Sequence, residues 1–410
     1  MNNNNQHIPA GYKLSPLGII PEDWEVKRIG DFGKVVTGST PPTEDADNYG
    51  FAYKFVSPAD ISDNKYIQDT EKHLSEKGFA ISRRMPKGTV LFTCIGSTIG
   101  KCAVANEELT SNQQINAVIC DSNHSGDYLY YELCNQSGRM RQIAGEQAVP
   151  IINKSTFESY KIVCPTFLEQ NKIADILSLW DTAIEKQTAL IEKLTLRKRG
   201  LMQQLLTGKK RLKGFGGEWK EVRLGEVAFV IGGGTPNTDI SDYWSGDIPW
   251  FTPSEIGENK YVNISERTIS EKGLNDSSAK ILPKGTILFT SRATIGAKAI
   301  LTTEATTNQG FQSFVVNNEN SNEFIYYYLD IILNEIKQKA SGSTFPEVSA
   351  ESLRKILIKI PDINEQNAIA SVLVNADKEI ELANKKLARL QEEKRGVMQQ
   401  LLTGKKRIII

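Results

Sequence analysis

The sequence predicts a mixed α/β (α+β) fold in which two globular domains are separated by two long helices that pair as an antiparallel coiled coil. Three observations support this prediction. The chain repeats itself, each copy alternates short apolar runs with turn-forming residues, and each copy ends in one long stretch with helical periodicity. A module of this length contains its own core, so the two copies are expected to pack about a pseudo-two-fold axis.

The internal repeat begins at the first tryptophan of each copy. Trp24 matches Trp219, an offset of 195 residues, within the segments EDWEVKRIGDFGKVVTGSTPPT and GEWKEVRLGEVAFVIGGGTPNT. Further matches follow in the same order: PKGTVLFT from Pro86 and PKGTILFT from Pro283, TIG from Thr98 and from Thr294, and MQQLLTGKKR from Met202 and from Met398. A period this long exceeds the roughly 20–50 residues of solenoid repeats, so it indicates duplicated domains.

Composition places the chain among ordinary globular proteins and leaves its ligand open. Of its 410 residues 40% are hydrophobic and 24% charged, and no stretch is long and apolar enough to predict a membrane span. Lysine plus arginine equals aspartate plus glutamate at 49 each. A protein that holds DNA by itself usually carries a basic excess. Either DNA is not the ligand, or a partner neutralises much of the phosphate charge.

The five cysteines lie in the first half of the chain and have no counterparts in the second half. This lopsided set does not resemble a disulfide framework, and CxxC metal-binding spacing is absent. We therefore expect reduced thiols in a cytoplasmic protein.

Four regions follow from the repeat. Residues 1–165 form the first globular domain and 166–211 the first long helix, while 212–361 form the second globular domain and 362–410 the second long helix. Short runs such as TVLFT and INAVIC, bounded by Gly, Pro, Asn and Asp, predict strands. Shorter helices are expected around 127–143 and 323–340, where aromatic and apolar residues recur at helical spacing.

The long helices carry an apolar stripe whose steps alternate between four and three residues, as in a coiled coil. In the first copy the stripe consists of Ile173, Leu177, Trp180, Ile184, Gln187, Ile191, Leu194, Lys198, Leu201 and Leu205. In the second copy it consists of Ile369, Leu373, Ala376, Ile380, Ala383, Leu387, Leu390, Lys394, Val397 and Leu401. A helix of about 37 residues spans roughly 55 Å. We predict that the two helices pair with each other; the alternative is that each packs only on its own globular domain.

The ordered motifs resemble those of the specificity subunits of Type I restriction-modification enzymes. The matching features are a W-x-x-x-x-[IL]-G segment with a T-P turn, a PKGT-[VI]-LFT segment with a TIG turn, and EQ-x-x-I helices that end in KRG-[LV]-MQQLLTGKKR. The resemblance covers the chain from about Leu17 and occurs in both copies. No single motif is specific, but the ordered set present twice is.

This resemblance implies a role in DNA recognition. The two globular domains would be target recognition domains, each reading one half of an asymmetric, bipartite site in double-stranded DNA through the major groove. The paired helices would set the gap between the halves and dock two methyltransferase subunits, which bind S-adenosylmethionine and methylate adenine N6. A further restriction (motor) subunit would use ATP and magnesium to translocate and cut unmethylated DNA. The specificity subunit itself would need no cofactor and no metal.

Candidate DNA-binding residues lie in turns that recur with polar changes. In the first copy they are Ser39, Thr40, Lys65, Ser97, Thr98, Lys101, Asn112, Gln113 and Gln114. In the second copy they are Thr235, Lys260, Ser291, Arg292, Thr294, Asn308 and Gln309. Asparagine and glutamine can bond adenine bidentately, and arginine can bond guanine. The shared threonines and asparagines are equally compatible with a structural role in turns, and the two lysines with phosphate contact or solvation.

Catalytic motifs are not evident. The three histidines, His7, His73 and His124, are not repeated, and no HExxH or similar metal spacing occurs. The GSTIGK turn has too few residues between its glycines to be a phosphate loop. We therefore expect a subunit without catalytic residues. Two alternatives stay open, a specificity subunit of a related Type II system and a coiled-coil scaffold that does not bind nucleic acid.

Overall fold

The computed structural model describes residues 8–145, 149–292, 294–340 and 346–408. The chain forms two compact units: the first comprises Met1–Ala189 and Lys385–Ile410, and the second comprises Leu190–Asn384. Each unit therefore contains one globular domain together with parts of both long helices. The predicted mixed α/β architecture with an internal repeat is confirmed. Of the histidines considered above, His7 lies outside the described residues.

The first globular domain is built from short strands and three helices. Its strands are β1 (Tyr12–Ser15), β2 (Gly18–Pro21), β3 (Glu25–Arg28), β4 (Gly33–Thr37), β5 (Tyr49–Val56), β6 (Lys72–Leu74), β7 (Val90–Thr93), β8 (Cys102–Val104), β9 (Thr110–Ser111), β10 (Ile115–Cys120) and β11 (Lys161–Cys164). Its helices are α1 (Glu76–Ile81), α2 (Gly126–Ile143) and α3 (Lys154–Ser159). The helix predicted around 127–143 is thus present as α2.

A four-stranded sheet with the order β4-β10-β7-β8 forms the centre of this domain, and its neighbouring strands are antiparallel. All four residues of β7 are buried, as expected for a β-branched and aromatic run at the middle of a sheet. A second sheet has the order β6-β5-β9. Strand β11 pairs with β3, where Val163 lies opposite Val26, and this pairing returns the chain to the start of the domain before the long helix begins.

The second globular domain repeats this plan. Its strands are β12 (Lys220–Arg223), β13 (Ala228–Gly232), β14 (Trp244–Phe251), β15 (Tyr261–Val262), β16 (Arg267–Ile269), β17 (Ile287–Phe289), β18 (Lys298–Leu301), β19 (Thr306–Thr307), β20 (Gln312–Val316) and β21 (Leu357–Ile360). The main sheet has the order β13-β20-β17-β18-β15, the second has β16-β14-β19, and β12 pairs with β21. The order of the first four strands of the main sheet matches that of the first domain.

The helices of the second unit resemble those of the first, except for a further short helix and one divided helix. After α4 (Phe167–Leu205), the long helix that leaves the first domain, the helices are α5 (Leu224–Val227), α6 (Glu271–Asn275), α7 (Asn322–Ile331), α8 (Leu333–Gln338), α9 (Ala350–Arg354) and α10 (Ile363–Leu401). The single helix predicted around 323–340 is divided at Ile332 into α7 and α8. The other long helix is α10.

Both long helices end shortly before a glycine. Gly208 and Gly404 follow them with φ angles of 68°, the left-handed conformation that glycine adopts without strain after a helix. All twenty stripe positions are buried or half-buried, whereas most residues between them are exposed. Lys394 pairs with Asp181, and Lys198 Nζ lies 2.5 Å from Asp377, so the helices run antiparallel where they pack together. Pairing of the two helices is therefore confirmed.

Part of each long helix also packs on the globular domains, but not only on its own domain, as the alternative would require. Ile173 and Leu177 of α4 lie in the core of the first domain. That same core contains Leu401 and Leu402, which come from the end of the second repeat. The core of the second domain contains Leu205 from the end of the first repeat, together with its own residues of α10. Each core is thus completed by the closing helix of the other repeat.

Within the described part of the chain, the structure contains no helix that combines the length and apolar character needed to cross a membrane.

Candidate nucleic-acid interface

Two turns meet at one end of the main sheet in the first unit. One follows β4 and contains Ser39 and Thr40, and the other precedes β10 and contains Asn112 and Gln113. The Ser39 amide donates to the Ser111 carbonyl at 2.8 Å, and the Thr40 hydroxyl donates to Gln113 Oε1 at 2.7 Å. The structure therefore brings these predicted residues together, and Thr40 and Gln113 are exposed.

A glycine makes this approach of the two turns possible. A Cβ at Gly38 would lie 2.1 Å from the Asn112 carbonyl oxygen, so no other residue fits here without moving backbone. The equivalent Gly233 faces the Asn308 carbonyl in the same way, at 2.0 Å. The GSTP and GGTP motifs therefore encode a close contact between turns, which we name the turn pair of each unit.

The turn pair of the second unit has the same internal bond. Thr235 donates its hydroxyl to Gln309, which is exposed. Asn308 caps its own turn, because its Oδ1 accepts the Gly310 amide at 2.8 Å. In the first unit Asn112 does the same for the Gln114 amide at 3.0 Å and also donates to Gln114 Oε1 at 2.9 Å. Both asparagines thus hold the turns, as the structural alternative anticipated.

The TIG turn of the first unit lies beside the turn pair, since the Cys94 amide donates to the Gln114 carbonyl at 2.8 Å. Ser97 is exposed and Thr98 half-exposed. Lys101 is exposed, but its ammonium donates to the Ile61 carbonyl at 2.7 Å. Among the described contacts, none joins these three predicted residues directly to the turn pair.

In the second unit, the corresponding residues have different environments. Ser291 is fully buried and donates its hydroxyl to the Gly310 carbonyl at 3.2 Å, so it faces the protein interior. Arg292 is half-buried and forms a β-bridge with Glu347. Thr294 is exposed, and its carbonyl accepts the Thr290 hydroxyl at 2.6 Å. Arg292 and Thr294 remain candidates for DNA contact, whereas Ser291 does not.

The two predicted lysines, one buried and one half-buried, bind carboxylates of the protein itself, in contrast to the expectation of phosphate contact or solvation. Lys65 is 4% exposed, and its ammonium lies 2.8 Å from Asp127 and 3.2 Å from the hydroxyl of Ser178 on α4. Because α2 and α4 follow far along the chain, the local NKY motif could not reveal these partners. Lys65 joins the globular domain to the long helix.

Lys260 has the equivalent position in the second unit. Its ammonium lies 2.6 Å from Glu323, 2.7 Å from the Tyr327 hydroxyl and 3.9 Å from Asp377 of α10. Burial lowers the pKa of Lys260, while the Glu323 carboxylate opposes this effect. The Tyr327 hydroxyl also binds Asp377, and burial followed by this carboxylate raises the pKa of the phenol. We therefore exclude both lysines from the DNA-contacting set.

One basic residue beside the turn pair was not anticipated. Arg83 is exposed, its amide donates to the Ser39 hydroxyl at 3.0 Å, and its guanidinium donates to the Thr37 carbonyl at 2.9 Å. In the second unit the exposed Lys280 occupies the equivalent place before the PKGT segment. The recurrence of a basic residue three positions before that proline was a signal available in the sequence.

The EQ and GKKR motifs also have a joint role that sequence reasoning missed. Glu169 accepts hydrogen bonds from Arg407 and, at 2.8 Å, from the indole of Trp24. Gln170 accepts the amide of Ser125, the residue that precedes α2, at 2.9 Å. In the second unit Arg211 binds Glu365 through two guanidinium bonds of 2.6 Å, and Gln366 accepts the Ser321 amide at 2.9 Å. The indole N–H of Trp219, in contrast, has no hydrogen-bond partner among the described residues.

Comparison with known families identifies two matching segments. The family model described as Type I restriction modification DNA specificity domain matches residues 21–196 and 216–392. The specificity subunit of the Type I restriction enzyme MjaIX from Methanocaldococcus jannaschii is 42% identical over 173 residues, which are 41% of this chain and 40% of that protein. A putative Type I enzyme MjaX specificity subunit from the same organism is 27% identical over 97% of both chains.

Solved structures share the fold at low sequence identity. A chain from a study of the complex assembly and conformational transition of the type I R-M system has a TM-score of 0.63 and 16% identity, and the match covers 94% of this chain and 99% of that one. The S subunit of a Type I restriction-modification system from M. genitalium has a TM-score of 0.57 and 17% identity, with 92% and 96% covered.

Proposed function

Because this chain belongs to the Type I restriction modification DNA specificity family, we propose that each of its two units reads one half of an asymmetric, bipartite DNA site through the major groove. The observation that carries the proposal is the turn pair, which presents an exposed glutamine in each unit. The side chains around it differ between units, since Gln114 in the first is Gly310 in the second. Different surroundings on one scaffold are what two different half-sites require.

Hydrogen bonding within the turn pair prepares the glutamine for base recognition. The hydroxyl of Thr40 donates to Gln113 Oε1, and that of Thr235 donates to Gln309 Oε1. Each bond uses one lone pair of the amide oxygen and fixes the orientation of the side chain. The second lone pair and both amide N–H groups stay available, and this set matches the donor and acceptor on the major-groove edge of adenine.

The long helices are proposed to set the unread gap and to dock two methyltransferase subunits. Leucines that face away from the stripe support a docking role, because their exposed fractions are large for apolar side chains. They are Leu179 at 70%, Leu190 at 45%, Leu196 at 68% and Leu382 at 65%. The balanced charge of the chain fits the same picture, since partners that wrap the DNA would neutralise phosphates that this chain alone does not.

The chemistry is assigned to the partners in this proposal. The methyltransferase subunits bind S-adenosylmethionine and methylate adenine N6, and the restriction subunits use ATP and magnesium. The specificity subunit contributes double-stranded DNA recognition and no catalysis.

Methylome sequencing tests the proposal directly. The chain is expressed together with its neighbouring methyltransferase gene in a host that lacks other adenine methylation. We expect N6-methyladenine on both strands of one asymmetric two-part motif, and its loss when this gene is deleted. A stable complex that leaves no methylated motif would contradict the proposal and favour the scaffold alternative. Presence of a gene for a separate ATP-driven motor distinguishes a Type I from a related Type II system.

A matched pair of variants tests the assignment of the turn pair. Gln113→Ala should relax base preference in one half-site and Gln309→Ala in the other, because each glutamine belongs to a different unit. Asn237→Ala, at an exposed position of the loop that follows the second turn pair, serves as the control and should leave the motif unchanged. If both glutamine variants keep the full motif, the turn pair does not read bases.

A further inference from the structure

The two units differ at one pair of facing positions between sheet and helix. In the second unit, Lys298 on β18 forms an ion pair with Asp330 on α7. Alignment on the TIG turns and on the YY dipeptides of α2 and α7 places Cys102 on β8 and Cys134 on α2 at these same two positions. Where the second unit has a lysine and a carboxylate in contact, the first unit therefore has two thiols.

Both thiols line one cavity on the first unit. The cavity has a volume of about 370 Å³, and Tyr130, Lys101 and Arg141 also contribute to its wall. Cys134 is half-buried, whereas Cys102 is 6% exposed. The cavity provides space for a small oxidant beside Cys134, with Cys102 behind it.

The surroundings give the two thiols different reactivities. A hydrogen bond from the Cys102 thiol lowers the pKa of Cys134 most strongly, whereas burial raises it. The Tyr130 hydroxyl and the Lys394 ammonium lower this pKa further, so that it lies below its ordinary value. Burial raises the pKa of Cys102 well above its ordinary value. A thiolate reacts with oxidants much faster than a thiol does. Cys134 is therefore the nucleophile of the pair.

The remaining cysteines lack this activation. Burial raises the pKa of Cys94 to about 12, that of Cys120 to about 12 and that of Cys164 to about 11. These three residues behave as apolar core or edge side chains, which makes them internal controls.

We propose that Cys102 and Cys134 form a redox site, which a peroxide converts to a disulfide in the first unit only. The Cys134 thiolate attacks one peroxide oxygen, the O–O bond breaks, and the departing hydroxide takes a proton to become water. Cys134 is then a sulfenic acid. The Cys102 sulfur attacks the Cys134 sulfur, and the released hydroxide takes the Cys102 proton as a second water. Two thiols and one hydrogen peroxide thus give one disulfide and two waters, and a dithiol reductant reverses the change.

Oxidation would join Cys102 and Cys134 by a covalent bond at the positions where the second unit has an ion pair. The disulfide would join β8 of the central sheet to α2, the helix whose Tyr131 binds Asp181 of α4. The second unit has neither thiol at these positions, so it cannot respond.

Mass spectrometry of the full-length chain tests this proposal. The reduced protein is treated with hydrogen peroxide, and its remaining thiols are alkylated before digestion. Trypsin alone leaves residues 102–139 in one peptide with three cysteines, so a glutamate-specific protease is added to separate residues 102–107, 109–132 and 133–139. We expect a peptide that links 102–107 to 133–139, lighter by two hydrogens than the sum of the two, and its loss after dithiothreitol treatment.

Variants distinguish this site from general thiol oxidation. Cys120→Ser should keep the linked peptide, whereas Cys134→Ser should remove it and leave Cys102 alkylated. The double variant C102K/C134D copies the ion pair of the second unit, so it is expected to fold and to resist oxidation. The proposal is overturned if the link forms through Cys94 or Cys120 instead, if Cys134 proceeds to the sulfinic acid without a link, or if both thiols remain fully alkylated after peroxide.

Discussion

Arg407 binds Glu169 through two parallel hydrogen bonds, of 2.8 and 2.9 Å, although 238 residues separate them in the chain. The carboxylate is 1% exposed, so it depends on this guanidinium and on the Trp24 indole for its stabilisation. Arg407 also reaches Asp23 at 2.8 Å. Arg407 closes the second repeat, and it binds both Glu169, at the start of the first repeat's long helix, and Asp23, at the start of that repeat.

Substitution of this arginine should destabilise the first unit and leave the stability of the second unit unchanged. We expect Arg407→Ala to lower the free energy of unfolding of the first unit by about 3 kcal/mol, because it leaves a buried carboxylate without its charged partner. Hydrogen exchange should accelerate around β3 and the beginning of α4.

Arg211→Ala is the matched control, since Arg211 binds Glu365 in the second unit. Exchange should then accelerate around β12 and the beginning of α10 instead. Equal acceleration in both units by either variant would show that the two arginine contacts do not stabilise separate units.

Glu132 should make the stability of the first unit depend on pH. Its side chain is fully buried; Gln136 donates to one oxygen at 2.8 Å, and the other has no hydrogen-bond partner among the described residues. Burial raises the pKa of this carboxyl to about 8. Between the pKa of Glu132 in the unfolded chain and pH 8, the unfolded chain releases a proton that the folded chain retains. The free energy of unfolding should therefore fall as pH rises through this window, by up to roughly 4–5 kcal/mol, and level off above it.

Urea unfolding at several pH values between 5 and 9 measures this slope. Glu132→Gln keeps the shape and the bond to Gln136 and should flatten the profile. The second unit has Tyr328 at the equivalent position, which does not ionise in this window and provides an internal comparison. A wild-type profile already flat from pH 5 to 8 would mean that the carboxyl ionises without cost.

The spacing role of the helices can be tested by lengthening them. We insert seven residues after Thr188 of α4 and seven after Asn384 of α10, which preserves the alternation of four and three in both stripes. Seven residues add roughly 10.5 Å of helix, or about three base-pair steps of B-DNA. Methylome sequencing should show a gap about three base pairs longer between unchanged half-sites.

The same insertion after Gly216, in the exposed segment that follows α4, is the control and should leave the gap unchanged. An unchanged gap in the helix variant itself would exclude the helices as the element that sets the spacing.

Arg292 should contribute to specificity in one half-site only. It occupies the β-bridge position that Ile95 holds in the first unit, so the first unit has no equivalent guanidinium there. We expect Arg292→Ala to relax one base position by about 1–3 kcal/mol of discrimination, measured by competition binding with the reconstituted methyltransferase complex. Loss of affinity spread equally over all sequences, with a smaller salt dependence, would instead identify Arg292 as a phosphate contact.

Substitution of Lys65 should lower the stability of the first unit and leave the salt dependence of DNA binding unchanged. Lys65→Met removes the ammonium that Asp127 and Ser178 share. We expect a lower melting temperature for the first unit and an unchanged slope of log affinity against log salt concentration. A slope reduced by about one unit would restore Lys65 to the set of phosphate contacts.

Sequence reasoning predicted the features that depend on local pattern. The stripe from Ile173 to Leu205 defines α4 because periodicity over five heptads needs no knowledge of the rest of the fold. The motifs around Thr40 and Gln113 are each turns, but their contact follows from the pairing of β4 with β10, which the sequence does not state. Lys65 shows most clearly that the sequence does not reveal long-range contacts. An NKY turn is polar whether its lysine faces solvent or binds a distant carboxylate.

The reciprocal exchange of helix ends explains why MQQLLTGKKR occurs unchanged in both copies while the globular domains diverge. Each ending serves the pocket of the opposite repeat, built from Trp24 and Glu169 in one case and from Trp219 and Glu365 in the other. We therefore expect that a domain that keeps its tryptophan, its EQ pair and its contacts with the long helix can be exchanged for another. Such interchange would let recombination between related genes create new pairings of half-sites from existing, already folded parts.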